Sequence, residues 1–316
     1  MKLFLTSAYE THAGLTALRK FALTDRVRRH ELSNNPEDAD AILFVENTQF
    51  DDILFKHLLN HPLIEKYPHK VFMYNEMDRP WHVLPGLYCC MARKHFDVQQ
   101  HVAFAYLGTP NPYIQTIHAE NPEQRWLYSF MGSMSHACRR PIMKLKRHNG
   151  YVQDTSDFNV WSSTQKELEV RGQAYADILS SSHFVLCPRG IGTSSIRLYE
   201  TMQAGRVPVI ISDHWVAPPE TDWRFAIQVE ERRISSIPGL LSSMVNEADD
   251  RGRAARSAWE QSYSPETLFN TAADSISALL YSKGKHSSST NTSGWHKWLA
   301  SGELMTRTAA RRFRES

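Results

Sequence analysis

The sequence predicts an α/β protein with two domains, each built on a parallel β-sheet covered by helices. Three observations support this fold class. Short runs such as Ile42–Val45 and Val71–Tyr74 are apolar on both faces, which is typical of parallel strands buried under helices. These runs alternate with segments of helical spacing, and a stretch rich in proline and glycine, residues 77–123, separates two such series. A chain of 316 residues is long enough for two hydrophobic cores.

The first domain is predicted to span residues 1–122. It begins with a strand at Lys2–Thr6 and a helix near Leu15–Leu23, and the strand in DADAILFVEN follows. The segment DILFKHLLNHPLI has helical spacing and is expected to end as a helix at Pro62, before the buried strand in KVFMYNE. Residues 77–123, with DRPWHVLPGLYC and LGTPNPY, are expected to be largely loop and to line a cleft.

The second domain is predicted to span residues 123–282. It opens with a strand in QRWLYSFMGS, and further βα units follow in ADILSSSHFVLCP, SIRLYETMQAG, RVPVIISD, FAIQVEE and ISSIPGLLSSMV. KGKHSSSTNTSG is a polar, low-complexity segment, so residues 283–316 are expected to form a linker and a basic tail.

Composition excludes several classes of partner. The net charge is +2, which gives no argument for nucleic acid. No run approaches the roughly 20 apolar residues of a membrane span, and the apolar run at the N-terminus is too short for a secretory signal. The four cysteines show no CxxC spacing, which favours free thiols in a reducing compartment. We therefore expect a cytoplasmic protein.

The segment FVLCPRGIGTSSIRLYETMQAGRVPVIISD, residues 184–213, predicts a strand, a loop, a helix and a second strand. Gly190 and Gly192 lie in the loop, where glycine permits unusual φ values and close approach of a ligand to the backbone. Thr193, Ser194 and the serine after it are candidate N-caps. The N-terminus of such a helix binds anions, because its first N–H groups have no partner within the helix.

Two arginines flank the predicted start of this helix. A cation in the first turn opposes the helix macrodipole by about 0.3–1 kcal/mol, so Arg197 together with Arg189 favours a phosphate bound between them. Glu200 lies on the same helical face as Arg197, where a carboxylate can accept hydrogen bonds from ribose hydroxyls. The alternatives are a solvated Arg197 and a weak intrahelical pair between Arg197 and Glu200.

The stretch SSHFVLCPRGIGTSSIRLYETMQAGRVPVIISDHWVAPP resembles the C-terminal signature of exostosin-family glycosyltransferases. LYSFMGS with Arg139 resembles the strand and the loop that open the second domain of that family. The resemblance implies a GT-B architecture, with two Rossmann-like domains facing across a cleft and a nucleotide-sugar donor held mainly by the second. It places Arg197, Gly192 and Thr193 near the diphosphate and Glu200 at the ribose.

The same resemblance brings Gly132, Ser133 and Arg139 to the donor from the other loop. Animal exostosins are anchored by a membrane helix; we expect none here, and hence a soluble enzyme that builds another glycan. The reaction implied is transfer of a sugar, most simply from a UDP-sugar, to a hydroxyl of a glycan or glycoconjugate acceptor, with inversion.

Such a reaction requires neutralisation of the leaving group and a base for the acceptor hydroxyl. GT-B enzymes generally use no divalent metal, so arginines are expected to meet the first requirement, and we predict no metal and no cofactor. The acidic run Asp38–Asp40 precedes its strand and is interpreted as a solvated turn. The histidines show no HExxH or other ligand spacing.

The base is expected at the carboxyl ends of the strands in the first domain. Glu76 and Asp78, after the KVFMY strand, are the chosen candidates; Glu10, His12 and His82 are lesser ones. A capped turn is an equally good interpretation of Asp78.

Two other functions remain open at this point. A nicotinamide-dependent oxidoreductase would use Gly190 and Gly192 as a dinucleotide loop and Asp213 as the ribose-binding acid, but Ser195 fits the third glycine position poorly. A non-catalytic protein that binds nucleotide sugars is the other alternative.

Overall fold

The computed structural model describes residues 1–10, 13–47, 51–52, 54–107, 111–114, 122–147, 149–158 and 163–285. Within these ranges the chain forms two parallel β-sheets, one of six strands and one of five. All pairings between the described strands are parallel. Parallel neighbours require crossover connections, which are usually helical. The predicted α/β class with two parallel-sheet domains is confirmed.

The first sheet has the order β2-β1-β3-β4-β5-β6. Its two central strands, β3 and β4, are buried on both faces along their whole length and pair from Ile42 with Val71 to Glu46 with Asn75. The strands are β1 (Lys2–Thr6), β2 (Glu31–Leu32), β3 (Ala41–Glu46), β4 (Val71–Asn75), β5 (Gly86–Tyr88) and β6 (His101–Ala103).

Three helices accompany this sheet: α1 (Ala13–Thr24), α2 (Lys56–Leu59) and α3 (Pro62–Lys66). The expectation of one helix ending at Pro62 was wrong, because Pro62 begins α3. Proline suits the first position of a helix, where its missing N–H would have had no partner. The side chain of His61 caps the helix by accepting a hydrogen bond of 3.2 Å from Leu63 N.

The expectation that residues 77–123 are largely loop was incomplete, because β5 and β6 lie within them and extend the sheet. Each strand has only three residues, too few to give a period-2 pattern in the sequence. Gly86 has φ of 156°, and a Cβ at this position would lie 1.8 Å from Met73 O. The close pairing of β5 with β4 therefore requires glycine here.

The second sheet has the order β11-β10-β9-β7-β8. The strands are β7 (Trp126–Gly132), β8 (Gly150–Asp154), β9 (Ser182–Pro188), β10 (Val207–Ile211) and β11 (Ile227–Gln228). The helices are α4 (Arg139–Ile142), α5 (Gln165–Ser180), α6 (Ile196–Gln203), α7 (Ile237–Ser243) and α8 (Ala248–Ser262). Short 3-10 turns lie at Arg93–His95, Met143–Arg147, Trp223–Phe225, Glu231–Ser236 and Val245–Glu247.

A final helix, α9 (Leu268–Lys285), returns to the first sheet and contacts α1, β3 and β5. The second domain was predicted to include residues up to 282, and in the structure the last helix of that range thus packs on the first domain. The buried apolar residues of α1 and α9 form one hydrophobic cluster with side chains of both sheets. The predicted linker and tail beyond residue 285 lie outside the described residues.

Two further features bear on the class of protein. In the part of the chain that the structure describes, no helix has the length and apolar character needed to cross a membrane. All four cysteines are free and buried, as expected from their spacing.

Candidate functional site

The donor loops predicted from the sequence meet at the carboxyl ends of β7 and β9. Chain order reverses at this point, because β8 lies on one side of β7 and β9 on the other. Ligands of open α/β sheets bind in the crevice at such a switch point. One loop follows Gly132, the last residue of β7, and the other follows Pro188, the last residue of β9. Both therefore lie where the topology favours a ligand.

Arg139 joins the two loops. Its Nε donates to Arg189 O at 2.8 Å, Nη1 donates to Ser133 O at 2.8 Å, and Nη2 donates to Pro188 O at 3.2 Å. The residue is 7% exposed, and its guanidinium lies 5.7 Å from the centre of the Phe130 ring. Burial, followed by the nearby charge of Arg197, lowers the pKa of Arg139 to about 10. The side chain thus stays charged at neutral pH and fixes the loops relative to each other.

Arg197 lies in the first turn of α6, and it is buried rather than solvated. Its Nη2 donates to Met131 O at 2.6 Å, and the guanidinium stacks 4.9 Å from the Phe130 ring and 5.8 Å from the Tyr175 ring. The buried Nε has no hydrogen-bond partner among the described residues. A buried donor without an acceptor costs about 1–3 kcal/mol, so this N–H is available to a bound acceptor.

Arg139 and Arg197 are two buried cations without a close anion. Neither forms an ion pair within 4 Å with any carboxylate of the described chain. Arg189, the third predicted arginine, lies 3.9 Å from Glu231 and donates to Ile191 O at 3.1 Å. The two buried guanidinium groups thus lack a paired carboxylate within the described ranges, and the charges of Asp78 and Glu200 act on them from more than 4 Å away.

Glu200 lies on α6 beyond Arg197, but the two do not form the intrahelical pair considered as an alternative. Its Oε2 accepts a hydrogen bond of 2.7 Å from the hydroxyl of Tyr175. Burial raises the pKa of Glu200, while Tyr175 and the charge of Arg197 act in the opposite direction. Tyr175 was not predicted from the sequence; it belongs to α5 and orients the carboxylate.

Two glycines of the site lie in close contact with the arginine side chains. A Cβ on Gly132 would lie 2.7 Å from Arg197 Nη2, and a Cβ on Gly190 would lie 3.2 Å from Arg139 Nη2. Distances of this kind are tighter than ordinary van der Waals contacts. The glycines thus admit the guanidinium groups beside the backbone of both loops.

The loop before α6 is held by the first domain. The hydroxyl of Thr193 donates to Cys90 O at 2.9 Å, and Thr193 and Ser194 are both buried. Ser195 is the N-cap of α6, and its side chain makes no capping bond. Ser133 contributes its carbonyl, which accepts from Arg139.

Asp78 reaches the same loop from the other side. Its carboxylate accepts a hydrogen bond from the Gly192 amide, and a Cβ on Gly192 would lie 2.8 Å from Asp78 Oδ1. Desolvation of the carboxyl raises the pKa of Asp78, against the opposing effects of this bond and of Arg79, Arg139 and Arg189. The structure therefore places one predicted base beside the predicted donor loop.

The carboxylate of Glu76 is held by two hydrogen bonds and is more deeply buried than that of Asp78. Its Oε2 accepts from the hydroxyl of Tyr74 at 2.6 Å and from Leu107 N at 3.3 Å. Burial raises the pKa of Glu76, and the charge of Asp78 adds to this effect. Of the lesser candidates, Glu10 is exposed, His82 is hydrogen bonded to the buried His101, and His12 lies outside the described residues.

Sequence reasoning missed Glu46, the last residue of β3. It is 1% exposed and accepts from Ala8 N at 2.7 Å and from Ser7 Oγ at 2.8 Å. Burial raises its pKa to about 7. Residues 7 and 8 follow β1, so Glu46 bridges the switch point of the first sheet, where β2 and β3 lie on opposite sides of β1. The sequence did carry one indication of Glu46, namely an acidic residue at the end of an otherwise apolar strand.

Comparison with known proteins identifies the family of the chain. The family model described as Exostosin GT47 domain matches residues 68–244, more than half of the chain. The chain belongs to the exostosin GT47 family. The predicted resemblance to this family is confirmed, and the matched range contains Glu76, Asp78, both predicted donor loops and Glu200.

Individual relatives match shorter segments. An Exostosin-1 homolog from Caenorhabditis elegans is 50% identical over 72 residues, which are 22% of this chain and 19% of that protein. A probable glycosyltransferase from Arabidopsis thaliana is 29% identical over 133 residues, or 39% of this chain and 23% of that protein. The matches thus cover only about a fifth of the length of these relatives.

Solved glycosyltransferases are distantly similar over most of the chain. One from Rickettsia africae has 10% identity and a TM-score of 0.46, covering 88% of this chain and 98% of that one. Anabaena HepE in complex with UDP-glucose has 12% identity and a TM-score of 0.38, covering 88% and 99%.

Proposed function

We propose that the chain is a glycosyltransferase that transfers a sugar from a nucleotide-sugar donor, a UDP-sugar, to a hydroxyl of a glycan or glycoconjugate acceptor. Membership in the exostosin GT47 family supports the reaction class. The proposal includes inversion at the anomeric carbon and a reaction without a divalent metal.

The observation that carries the proposal is the unpaired positive charge at the second switch point. Two buried guanidinium groups, Arg139 and Arg197, lie beside the loops and have carbonyl groups as their close acceptors. Buried charges without a counter-charge are strongly unfavourable, so a bound anion would relieve this arrangement. A diphosphate supplies that anion, and the buried Arg197 Nε, which has no hydrogen-bond partner among the described residues, supplies a further polar contact.

The remaining contacts suit a nucleoside diphosphate. Glu200 presents a carboxylate on the helix that starts at the anion site, where it can accept from ribose hydroxyls. As the bond to the sugar breaks, negative charge grows on the leaving diphosphate. Arginines fixed in place beforehand stabilise that charge without reorganisation, and this is why we propose no role for Mg²⁺ or Mn²⁺ in the step.

Asp78 is the better placed of the two candidate bases. Its carboxylate lies against the donor loop at Gly192, whereas the carboxylate of Glu76 is tied to Tyr74 and Leu107. In the proposed reaction Asp78 accepts the proton of the acceptor hydroxyl as its oxygen attacks the anomeric carbon. The nucleoside diphosphate leaves on the opposite face, and the configuration is inverted.

Calorimetric titration of the protein with UDP-, GDP-, ADP- and CMP-sugars tests the proposal. We expect binding of a UDP-sugar, and a loss of at least tenfold in affinity for Arg197→Met, which removes the charge and keeps the length of the side chain. Arg224→Met is the matched control, because Arg224 is exposed and pairs with Asp222. Binding of NAD(P) alone, or equal affinity of Arg197→Met and the parent for the nucleotide sugar, would refute the assignment.

A further inference from the structure

A second group of side chains lies beside the donor loops and has no part in the proposed reaction. One potential ligand atom each of His136, Cys138 and Glu231 lies within 4.8 Å of the others. Cys138 is buried, while His136 and Glu231 are half-buried, so the group has an open side. We propose that these three residues form a zinc-binding site.

The chemistry of the ligands selects the metal. An imidazole nitrogen, a thiol sulfur and a carboxylate oxygen form the mixed set that Zn²⁺ binds, whereas Mg²⁺ and Ca²⁺ prefer oxygen ligands throughout. Three protein ligands leave the fourth tetrahedral position to water. A point equidistant from three atoms 4.8 Å apart lies about 2.8 Å from each, so bonds of about 2.0–2.3 Å require each ligand to move by less than about 1 Å.

The backbone already holds the ligands near each other. Glu231 N donates to Asp213 Oδ1 at 3.0 Å, and Asp213 N donates to Glu231 Oε1 at 3.2 Å, which orients the carboxylate. His136 Nδ1 accepts from Cys138 N at 3.3 Å, within the turn that leads into α4. This last bond is long, so replacing it by a metal bond costs little.

Charge is balanced at the site. Zinc binding releases the thiol proton of Cys138 to solvent, and the resulting thiolate and the Glu231 carboxylate together neutralise the two charges of the ion. Arg189, which lies 3.9 Å from Glu231, would then share this carboxylate with the ion. The bound ion would tie the loop after β7 to the turn that begins at Glu231, without contacting the reacting atoms.

Titration of the metal-free full chain with Co²⁺ tests the site directly. Cobalt substitutes for zinc and gives a thiolate-to-metal charge-transfer absorption when cysteine is a ligand. We expect one equivalent of Co²⁺ to produce this band and Zn²⁺ to displace it. Cys138→Ser is expected to abolish the band, and Glu231→Gln to weaken Zn²⁺ affinity by at least about tenfold, in line with the loss of groups around metal sites.

Matched variants separate the site from general effects. Cys187→Ser changes another buried thiol in the same way, and Glu230→Gln removes the neighbouring exposed carboxylate; both are expected to bind metal as the parent does. Thermal unfolding without metal shows whether each variant is folded. A parent without the band, a band retained in Cys138→Ser, or parental affinity in Glu231→Gln would overturn the proposal. None of these readouts depends on donor binding or sugar transfer.

Discussion

Replacing Gly132 by alanine tests whether Arg197 is held in place for donor binding. A Cβ added at Gly132 would lie 2.7 Å from Arg197 Nη2 and 3.2 Å from Phe130 Cζ. Because Arg197 is itself fixed by a 2.6 Å bond to Met131 O, the new methyl group forces the guanidinium away from its position. No direct contact between the methyl group and the donor is needed for this effect.

The size of the effect follows from the contacts. Overpacking of a filled site costs about 1–3 kcal/mol of stability. A hydrogen bond to a charged group contributes about 1.5–3 kcal/mol, and a factor of ten in affinity corresponds to about 1.4 kcal/mol. If Arg197 loses its bond to the donor phosphate, the dissociation constant is expected to rise by about 10- to 150-fold.

Calorimetric titration with the UDP-sugar measures the affinity, and urea unfolding measures the stability. Gly239→Ala is the matched control, because a Cβ at Gly239 in α7 has no neighbour within 4 Å. This control is expected to keep the parental affinity and to gain about 0.5–1 kcal/mol, since alanine favours a helix interior over glycine. Parental donor affinity in Gly132→Ala, with the expected loss of stability, would show that the position of Arg197 does not matter for the donor.

Three further outcomes are expected. Because the pKa values of Asp78 and Glu76 are raised, kcat/KM should rise with pH as the base loses its proton. Asp78→Asn should lower kcat/KM by about 10²–10⁴-fold, and Glu76→Gln should lower it by less. A larger loss in Glu76→Gln than in Asp78→Asn would exchange the roles of the two residues. Adding Mg²⁺ or Mn²⁺ to the metal-free enzyme should leave turnover unchanged; a metal-dependent rate would contradict charge neutralisation by arginines alone. Glu46 keeps a proton in the folded state up to a pKa of about 7, above its ordinary 4.5, so the free energy of unfolding should fall by about 3 kcal/mol as pH rises through that window. Glu46→Gln should lose this dependence in urea unfolding at pH 5 and pH 8, and an unchanged profile would assign it to other groups.

The parts of the fold that could be predicted from the sequence are those governed by local pattern. Buried parallel strands such as β3 and β4 are apolar on both faces, and the strand–loop–helix unit around Gly190 and Gly192 combines several local signals. A strand as short as β5 has too few residues to show an alternating pattern in the sequence. It forms because it can pair with β4, and that pairing cannot be read from the local sequence. Pro62 was misassigned because proline both ends helices and begins them.

The site was predictable in its residue types and less so in their contacts. Arg197 and Arg139 were identified, but nothing in the sequence indicates that both are buried and bonded to carbonyl groups of the loops. Tyr175 and Glu46 were missed because their partners are distant in the sequence: Glu200 on α6 for Tyr175, and residues 7 and 8 after β1 for Glu46. Of the proposed zinc ligands, His136 and Cys138 are neighbours in the sequence, whereas Glu231 follows β11 and is brought to them only by the fold.

The two switch points differ in the ionisable side chains that they carry. The second sheet has the cations Arg139 and Arg197 at its switch point, and the first has Glu46, whose pKa burial raises to about 7. Asp78 extends from the first sheet to the loop of the second, where the Gly192 amide binds it. In the proposed reaction the anionic donor binds at the second sheet, and a carboxylate of the first sheet accepts the proton of the acceptor. The proposed transfer needs both groups at once, and the contact between Asp78 and Gly192 links the two sheets at this point.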